Sequence, residues 1–186
     1  MTHAAPRIRR LPTSSLSADD TRALRAMLVL AFADDGPDEE FDEHDWQHAL
    51  GGTHVLLDLD GEILAHASVV ERWLRVAGTP VRTGYVEAVA TAPHRQGSGL
   101  GTLVMAEIGD IVRSGFDLGA LGTGAHHFYE RLGWRTWRGP TSVRTPEGEQ
   151  PTPIADGFVL VLETPTSPVL DFSAPISCDW RPGDDW

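Results

Sequence analysis

The sequence predicts a mixed domain of class α/β (or α+β), with strands both before and after its helices. Three observations carry this. Strand-like and helix-like segments interleave, which favours a sheet flanked by helices over a bundle or a sandwich. Asp60-Gly61 separates two β-rich runs, the strong signal of a two-residue hairpin. A third strand, Val81 to Thr91, runs into a glycine-dense turn that opens an amphipathic helix.

The elements follow in order. Arg7 to Leu11 reads as a short first strand. Ser17, Asp19 and Asp20 precede a helical run from Thr21 to Phe32, and early carboxylates suit a helix N-terminus. Leu24, Leu28 and Ala31, with Met27 alongside, give that run an apolar stripe. An acidic stretch from Asp34 to Asp45 carries 8 carboxylates in 12 residues and reads as a solvated loop. Thr53 to Leu59 and Ile63 to Val76 form the hairpin strands, and Gly78-Thr79-Pro80 turns the chain into Val81 to Thr91, which Pro93 ends. A helix from about Gly99 to Arg113, a strand Leu118 to Leu121, a short helix Ala125 to Arg131 and a strand Trp134 to Arg138 follow. The remainder is rich in Pro and turn residues, apart from a strand Phe158 to Glu163 and an extended segment Val169 to Cys178. No repeat or linker divides the chain, so residues 1–186 are expected to form one domain.

The 27 acidic and 15 basic residues leave a net charge of −12. Such a surface repels nucleic acid and anionic membranes and attracts polycations. All 15 basic residues are Arg, and the chain contains no Lys. That absence excludes a Walker A site, a protein-kinase site and a Schiff-base mechanism, each of which needs a Lys. A single cysteine, Cys178, allows no intrachain disulfide. Residues Met1 to Asp20 lack the apolar core of a secretory signal, and the longest apolar run, Ala26 to Ala33, is only 8 residues long. A cytoplasmic protein is expected.

The most informative stretch is Gly84-Tyr-Val-Glu-Ala-Val-Ala-Thr-Ala-Pro-His-Arg-Gln-Gly-Ser-Gly-Leu-Gly101. Gln96, Gly97, Ser98, Gly99, Leu100 and Gly101 satisfy the pattern [Gln/Arg]-x-x-Gly-x-Gly. Glycines let the backbone fold tightly, and the amides of the helix's first turn then point at an anion, aided by the helix dipole. Arg95 adds positive charge beside them. The dinucleotide fingerprint Gly-x-Gly-x-x-Gly is not met from Gly97, because position 102 is Thr.

These residues resemble the coenzyme-A loop of the GNAT N-acetyltransferase superfamily, and the order of elements agrees with it. Ala125-His-His-Phe-Tyr-Glu-Arg-Leu-Gly-Trp134 is similar to that superfamily's late Tyr-containing helix. A closer resemblance is to aminoglycoside 2′-N-acetyltransferases. It is carried by Asp45-Trp46-x-His48-x-Leu-Gly-Gly-Thr-His54, Gly84-Tyr-Val-Glu-Ala88, Leu118-Gly-Ala-Leu121, Gly139-Pro-Thr-Ser-Val143 and Cys178-Asp-Trp-Arg-Pro-Gly-Asp-Asp-Trp186. The resemblance implies a central mixed, mostly antiparallel sheet splayed between two parallel strands, with a tail, 165–186, that folds back into the substrate site. It implies acetyl-CoA as co-substrate, no metal, an aminoglycoside as small-molecule acceptor, and a homodimer.

The resemblance also assigns residues. Glu87 matches the general base, acting through water. Amides near Val89 match the oxyanion contact, with Ala90 and Thr91 pairing with the pantetheine arm. Arg95, Gln96, Gly97, Ser98, Gly99, Leu100 and Gly101 match the pyrophosphate loop, and Tyr129 the general acid to sulfur. An acceptor with several ammonium groups calls for carboxylates, so Asp45, Asp156, Asp184 and Trp186 are substrate-contact candidates on charge, alongside Glu87, Ala88 and Gly122. The acidic stretch is longer than the family's usual connection, so Asp35 and Glu40 are both candidates there. Gly122-Thr-Gly124 stands where relatives carry Ser-rich sequence, leaving Thr123 as the sole hydroxyl.

Other signals weigh less. His44 and His48 have zinc-compatible spacing but no third ligand or zincin Glu. Asp58-Leu-Asp60-Gly61 echoes a calcium loop but sits in the hairpin turn. Cys178 has nothing local to lower its pKa, so attack without an acyl-enzyme is expected. Three alternatives stay open: a GNAT enzyme for another cationic amine, a non-catalytic aminoglycoside binder, and a sensory module on the same scaffold.

Overall fold

The computed structural model describes residues 6–33 and 40–186. In chain order the elements are β1 (Arg7–Pro12), α1 (Ala18–Phe32), α2 (Glu43–His48), β2 (Thr53–Leu59), β3 (Glu62–Val76), β4 (Thr79–Thr91), α3 (Leu100–Gly115), β5 (Leu118–Gly122), α4 (His126–Glu130), β6 (Arg135–Thr136), β7 (Thr141–Thr145), β8 (Gly148–Pro151), β9 (Val159–Glu163) and β10 (Ile176–Asp179). They gather into two compact units, Met1–Val70 with Val86–Ile108, and Glu71–Tyr85 with Gly109–Trp186. Among the described residues no helix is long and apolar enough to cross a membrane.

In the first unit β1 pairs antiparallel with β2, and β2 antiparallel with β3. The β2–β3 turn is the one Asp60-Gly61 predicts: both residues have positive φ, 52° and 87°, as a type I′ turn requires. Helix α1 begins at Ala18, three residues before the expected start. Ser17 caps it, accepting from the Asp20 amide while the Asp20 side chain accepts from the Ser17 amide. Its Leu24, Met27 and Leu28 pack with Trp46, Leu56, Ile63, Ala90 and Ala92. Each such large apolar side chain contributes about 1.5–3 kcal/mol on burial.

Helix α2 begins within the stretch read as an acidic loop, at Glu43, and runs past its end to His48. Asp42 and Asp45 build a second capping box at its start, and Trp46 is buried beneath the Arg25 guanidinium, 5.2 Å from its ring centre. Three of the eight carboxylates of that stretch, Asp42, Glu43 and Asp45, are here the cap and acidic first turn of a helix.

In the second unit the strand order is β6-β9-β5-β4-β3-β10-β7-β8. Two pairings are parallel, β4 with β5 and β10 with β7, and β5, β6, β7 and β10 make antiparallel ones. The β4–β5 ladder is short, running only from Thr83↔Leu118 to Tyr85↔Ala120. The turn into β4 is Ala77-Gly78, with φ of 48° and 80°, one step earlier than expected. The β7–β8 hairpin was not expected, since β8 is exposed throughout and shows no alternating pattern. The expected strand 134–138 contracts to Arg135–Thr136, and the extended segment 169–178 to Ile176–Asp179. Trp134, Trp137, Tyr85 and Leu118 fill the interior.

Candidate active site

In the first unit β4 supplies Glu87, Ala88, Val89, Ala90 and Thr91 in succession. Glu87 is half-buried, and its backbone carbonyl accepts from the Ser68 hydroxyl at 3.4 Å. Ala88 has φ +50°, in the left-handed region that an L-residue occupies only at a cost of roughly 1–2 kcal/mol. A left-handed residue inside a strand re-aims the peptide that follows it.

After β4 the chain makes one 3₁₀ turn, in which the Arg95 amide donates to the Ala92 carbonyl at 2.8 Å. Gly97 and Gly99 follow with φ of 72° and 83°. A Cβ on either would meet nothing within 4 Å, so these glycines are needed for backbone conformation, with open space above them. Arg95 to Gly99 are exposed, and the Ser98 hydroxyl closes the loop onto the Arg95 carbonyl. Helix α3 starts at Leu100, so Leu100, Gly101 and Thr102 present first-turn amides that have no intrahelical acceptors. The loop fits a diphosphate: open, glycine-built, at the positive end of a 16-residue helix and flanked by Arg95.

Of the acidic candidates, Asp35 lies outside the described residues. Glu40 is exposed ahead of α2. Asp45 already accepts the Asp42 amide at 2.9 Å as part of the α2 cap.

In the second unit the end of β5 and the last residues of the chain meet. A Cβ built on Gly122 would lie 3.4 Å from the Trp186 carbonyl carbon and 3.6 Å from the Tyr85 hydroxyl oxygen. The tail is anchored by Arg72, whose guanidinium donates to the carbonyls of Asp185 at 2.8 Å and Asp179 at 2.9 Å and stacks 4.6 Å from the Tyr85 ring centre. Asp184 is exposed, and its carbonyl accepts from Arg181 at 2.7 Å. Trp186 donates its indole N–H to the Thr152 hydroxyl at 3.0 Å. Asp156 accepts from both the amide and the hydroxyl of Thr141, each at 2.8 Å. The Thr123 hydroxyl accepts from the Ala125 amide at 3.0 Å, at the start of α4.

Tyr129 sits on α4 and is buried, edge-on to Phe128 and Trp134 at 4.9 and 6.4 Å between ring centres. Burial pushes its phenol up to about 12, so it keeps its proton throughout the physiological range. Cys178 is buried as well, its thiol 3.3 Å from the Asp185 carbonyl, and burial pushes it up to about 11. At neutral pH it is a thiol, not the thiolate that nucleophilic attack needs.

The residues that sequence reasoning missed are His54 and His66, both fully buried in the first unit. Their signal is a histidine set beside an apolar run in each strand, Val55–Leu57 after His54 and Ile63–Ala65 before His66. Among the described residues no group of three or more His, Cys, Asp or Glu side chains could hold a metal ion. The His44 ring lies 3.3 Å from the Asp42 carboxylate.

Comparison with known proteins agrees with this geometry. A family model described as an acetyltransferase (GNAT) domain matches residues 13–137. The chain is 42% identical over 182 residues to an aminoglycoside 2′-N-acetyltransferase of Mycolicibacterium fortuitum, covering 96% of this chain and 91% of that protein. The fold is similar to a GNAT family acetyltransferase from Brucella melitensis in complex with acetyl-CoA, at TM-score 0.62 and 18% identity over 91% of this chain and 95% of that one. It is also similar to the Escherichia coli GNAT family N-acetyltransferase YhbS in complex with CoA, at TM-score 0.62 and 17% identity over 95% and 89%.

Proposed function

Because this chain belongs to the GNAT acetyltransferase family, we propose that it transfers acetyl from acetyl-CoA to the 2′-amino group of an aminoglycoside, by direct attack with both substrates bound. The modified drug would no longer act, and the host would be resistant. The observation that carries the acceptor class is the likeness to the Mycolicibacterium fortuitum enzyme across 96% of the chain. The glycine loop ahead of α3 supports the donor.

In this reading the whole chain, residues 1–186, forms one transferase domain and each part of it has a task. Arg95 and the amides of residues 96–101 bind the diphosphate of the donor, while Ala90 and Thr91 offer strand-like contacts to its pantetheine arm. Acetyl-CoA supplies the activated thioester. Glu87 takes the proton that the acceptor ammonium must lose, through one water. The Val89 N–H stabilises the oxyanion that develops on the thioester carbonyl. Tyr129, protonated at neutral pH, offers its hydrogen to the departing sulfur. Cys178 takes no part, which is why attack is direct.

Acceptor recognition rests on carboxylates facing ammonium groups. Asp35, Glu40, Asp45, Asp156 and Asp184 are the candidates, with Glu87, Ala88, Gly122 and Trp186 shaping the contact. The net charge of −12 speeds encounter with a polycation. The reaction belongs in the cytoplasm, beside the acetyl-CoA pool, and the family resemblance implies a homodimer.

Thiol release from acetyl-CoA across an aminoglycoside panel tests this. Turnover is expected with 2′-amino compounds and not with those lacking that amine. Equal turnover with both sets overturns the regiochemistry, and no release with any of them overturns the acceptor class. Glu87→Gln is expected to lower kcat by about 100-fold or more while calorimetry shows unchanged acetyl-CoA affinity.

A further inference from the structure

Two buried histidines in the first unit have no task in that reading, and their hydrogen bonds run in a single direction. The Thr13 hydroxyl lies 2.9 Å from His54 Nε2. His54 Nδ1 lies 2.9 Å from His66 Nε2, and His66 Nδ1 lies 2.8 Å from the Ala88 carbonyl oxygen.

The end of the chain decides where every hydrogen sits. A carbonyl only accepts, so His66 Nδ1 carries a hydrogen. In a neutral ring Nε2 is then the acceptor, which requires the hydrogen of His54 on Nδ1. His54 Nε2 in turn accepts from Thr13, whose oxygen accepts from the Gly51 amide at 2.9 Å. Burial pushes His54 down to about 4 and His66 down to about 3, so both rings are neutral at pH 7. Because the series ends on an amide carbonyl, which takes up no proton, it orients a group and relays nothing.

The group it orients is unusual. Ala88 is the strained residue of β4, at φ +50°. In a trans peptide the carbonyl of one residue and the N–H of the next point in opposite directions within one plane. Holding the Ala88 carbonyl on His66 therefore fixes the direction of the Val89 N–H.

We propose that His66, braced by His54, is a positioning residue for acetyl transfer: it clamps the carbonyl of Ala88, the left-handed residue of β4, and so aims the Val89 N–H at the thioester oxygen. The role of that amide rests on the acetyl-transfer reading above; the clamp itself does not. A leucine at position 66 removes the donor, whereas an asparagine places an amide N–H₂ near the position of Nδ1.

The test joins kinetics to NMR. His66→Leu is expected to lower kcat by about 10- to 100-fold, the scale of a misaimed oxyanion donor, with the KM for acetyl-CoA little changed. His66→Asn is expected to recover most of that loss, even where both variants lose similar thermal stability. In the wild-type protein, long-range ¹H–¹⁵N spectra should show His66 as the Nδ1–H tautomer, and the Val89 amide resonance should move in His66→Leu. A folded His66→Leu with wild-type kcat overturns the proposal, as does an Nε2–H tautomer at His66. Should the wild-type protein acetylate no aminoglycoside, the acceptor reading falls separately. The tautomer and the Val89 resonance, which need no substrate, then decide the clamp: an unmoved Val89 amide in His66→Leu overturns it. If His66→Leu does not fold, the wild-type tautomer and the kcat of His66→Asn decide, and a loss in His66→Asn as large as that expected of His66→Leu overturns it.

Discussion

Trp186 and Asp156, 30 residues apart in sequence, are joined through two threonines. The Trp186 indole donates to the Thr152 hydroxyl at 3.0 Å, Thr152 donates to the Thr141 hydroxyl at 2.8 Å, and Thr141 donates to Asp156 at 2.8 Å. Thr141 also lies 2.7 Å from the Thr152 carbonyl, so the two threonines hold each other in register. Thr152→Val keeps the shape but removes the partner of the indole. It should cost about 1 kcal/mol of stability and raise the KM for aminoglycoside several-fold, with little change in the KM for acetyl-CoA. Steady-state kinetics with each substrate varied in turn will show whether the loss is confined to the acceptor.

Tyr129 is the second case. Its phenol, held near 12 by burial, should not titrate below about pH 10, so the alkaline side of the kcat profile should show no ionisation belonging to it. Tyr129→Phe keeps the edge-on packing against Phe128 and Trp134. It should lower kcat by about 10- to 100-fold, the lower range for general-acid loss. A pH–rate profile of both proteins checks the two statements together.

The loop glycines separate conformation from space. At Gly99 an added methyl group meets nothing within 4 Å, yet φ is 83°. Gly99→Ala should therefore cost about 1 kcal/mol through backbone strain alone. Because the strain relaxes by turning the amides at the start of α3, coenzyme A affinity should fall by more than stability does. Calorimetry against coenzyme A beside a thermal melt distinguishes the two.

The buried histidines make stability depend on pH, and the sign follows from their direction. Folded, they hold no proton until the pH nears 4 for His54 and 3 for His66, whereas in the unfolded chain each takes one near 6.5. Acidification thus favours the unfolded state, and stability should be level above about pH 7 and fall from pH 6.5 toward 4 for His54 and toward 3 for His66. A second loss should follow between about pH 4 and 2. There Asp20, held down to about 2 by its bonds to Arg9 and Ser17, becomes protonated. Tm measured from pH 8 to 2 should show the first loss reduced in His66→Asn and the second unchanged.

Much of this was legible in the sequence because the signals were local. The Asp60-Gly61 hairpin, the acidic start of α1 and the glycine loop all depend on what a few adjacent residues can do with their own backbone. Helix α2 was hidden because an acidic first turn and an acidic loop share a composition, and burial of Trp46 chooses between them. The β7–β8 hairpin was hidden because strand β8, exposed throughout, has no buried face to impose a period of two. Ala88 gave no sign, since nothing about an alanine announces a positive φ, and the His66 ring that meets its carbonyl lies on another strand.

The sequence by itself therefore determined most of the elements, the glycine turn ahead of α3 and the side-chain chemistry beside it, because short-range torsional preference and side-chain type are properties of neighbouring residues. Tertiary structure alone decided which distant groups meet: His54 with His66, His66 with the Ala88 carbonyl, Trp186 with Thr152. Those meetings follow from strand register and tail docking. Register is selected by the summed burial of many side chains, a quantity no single stretch of the chain contains.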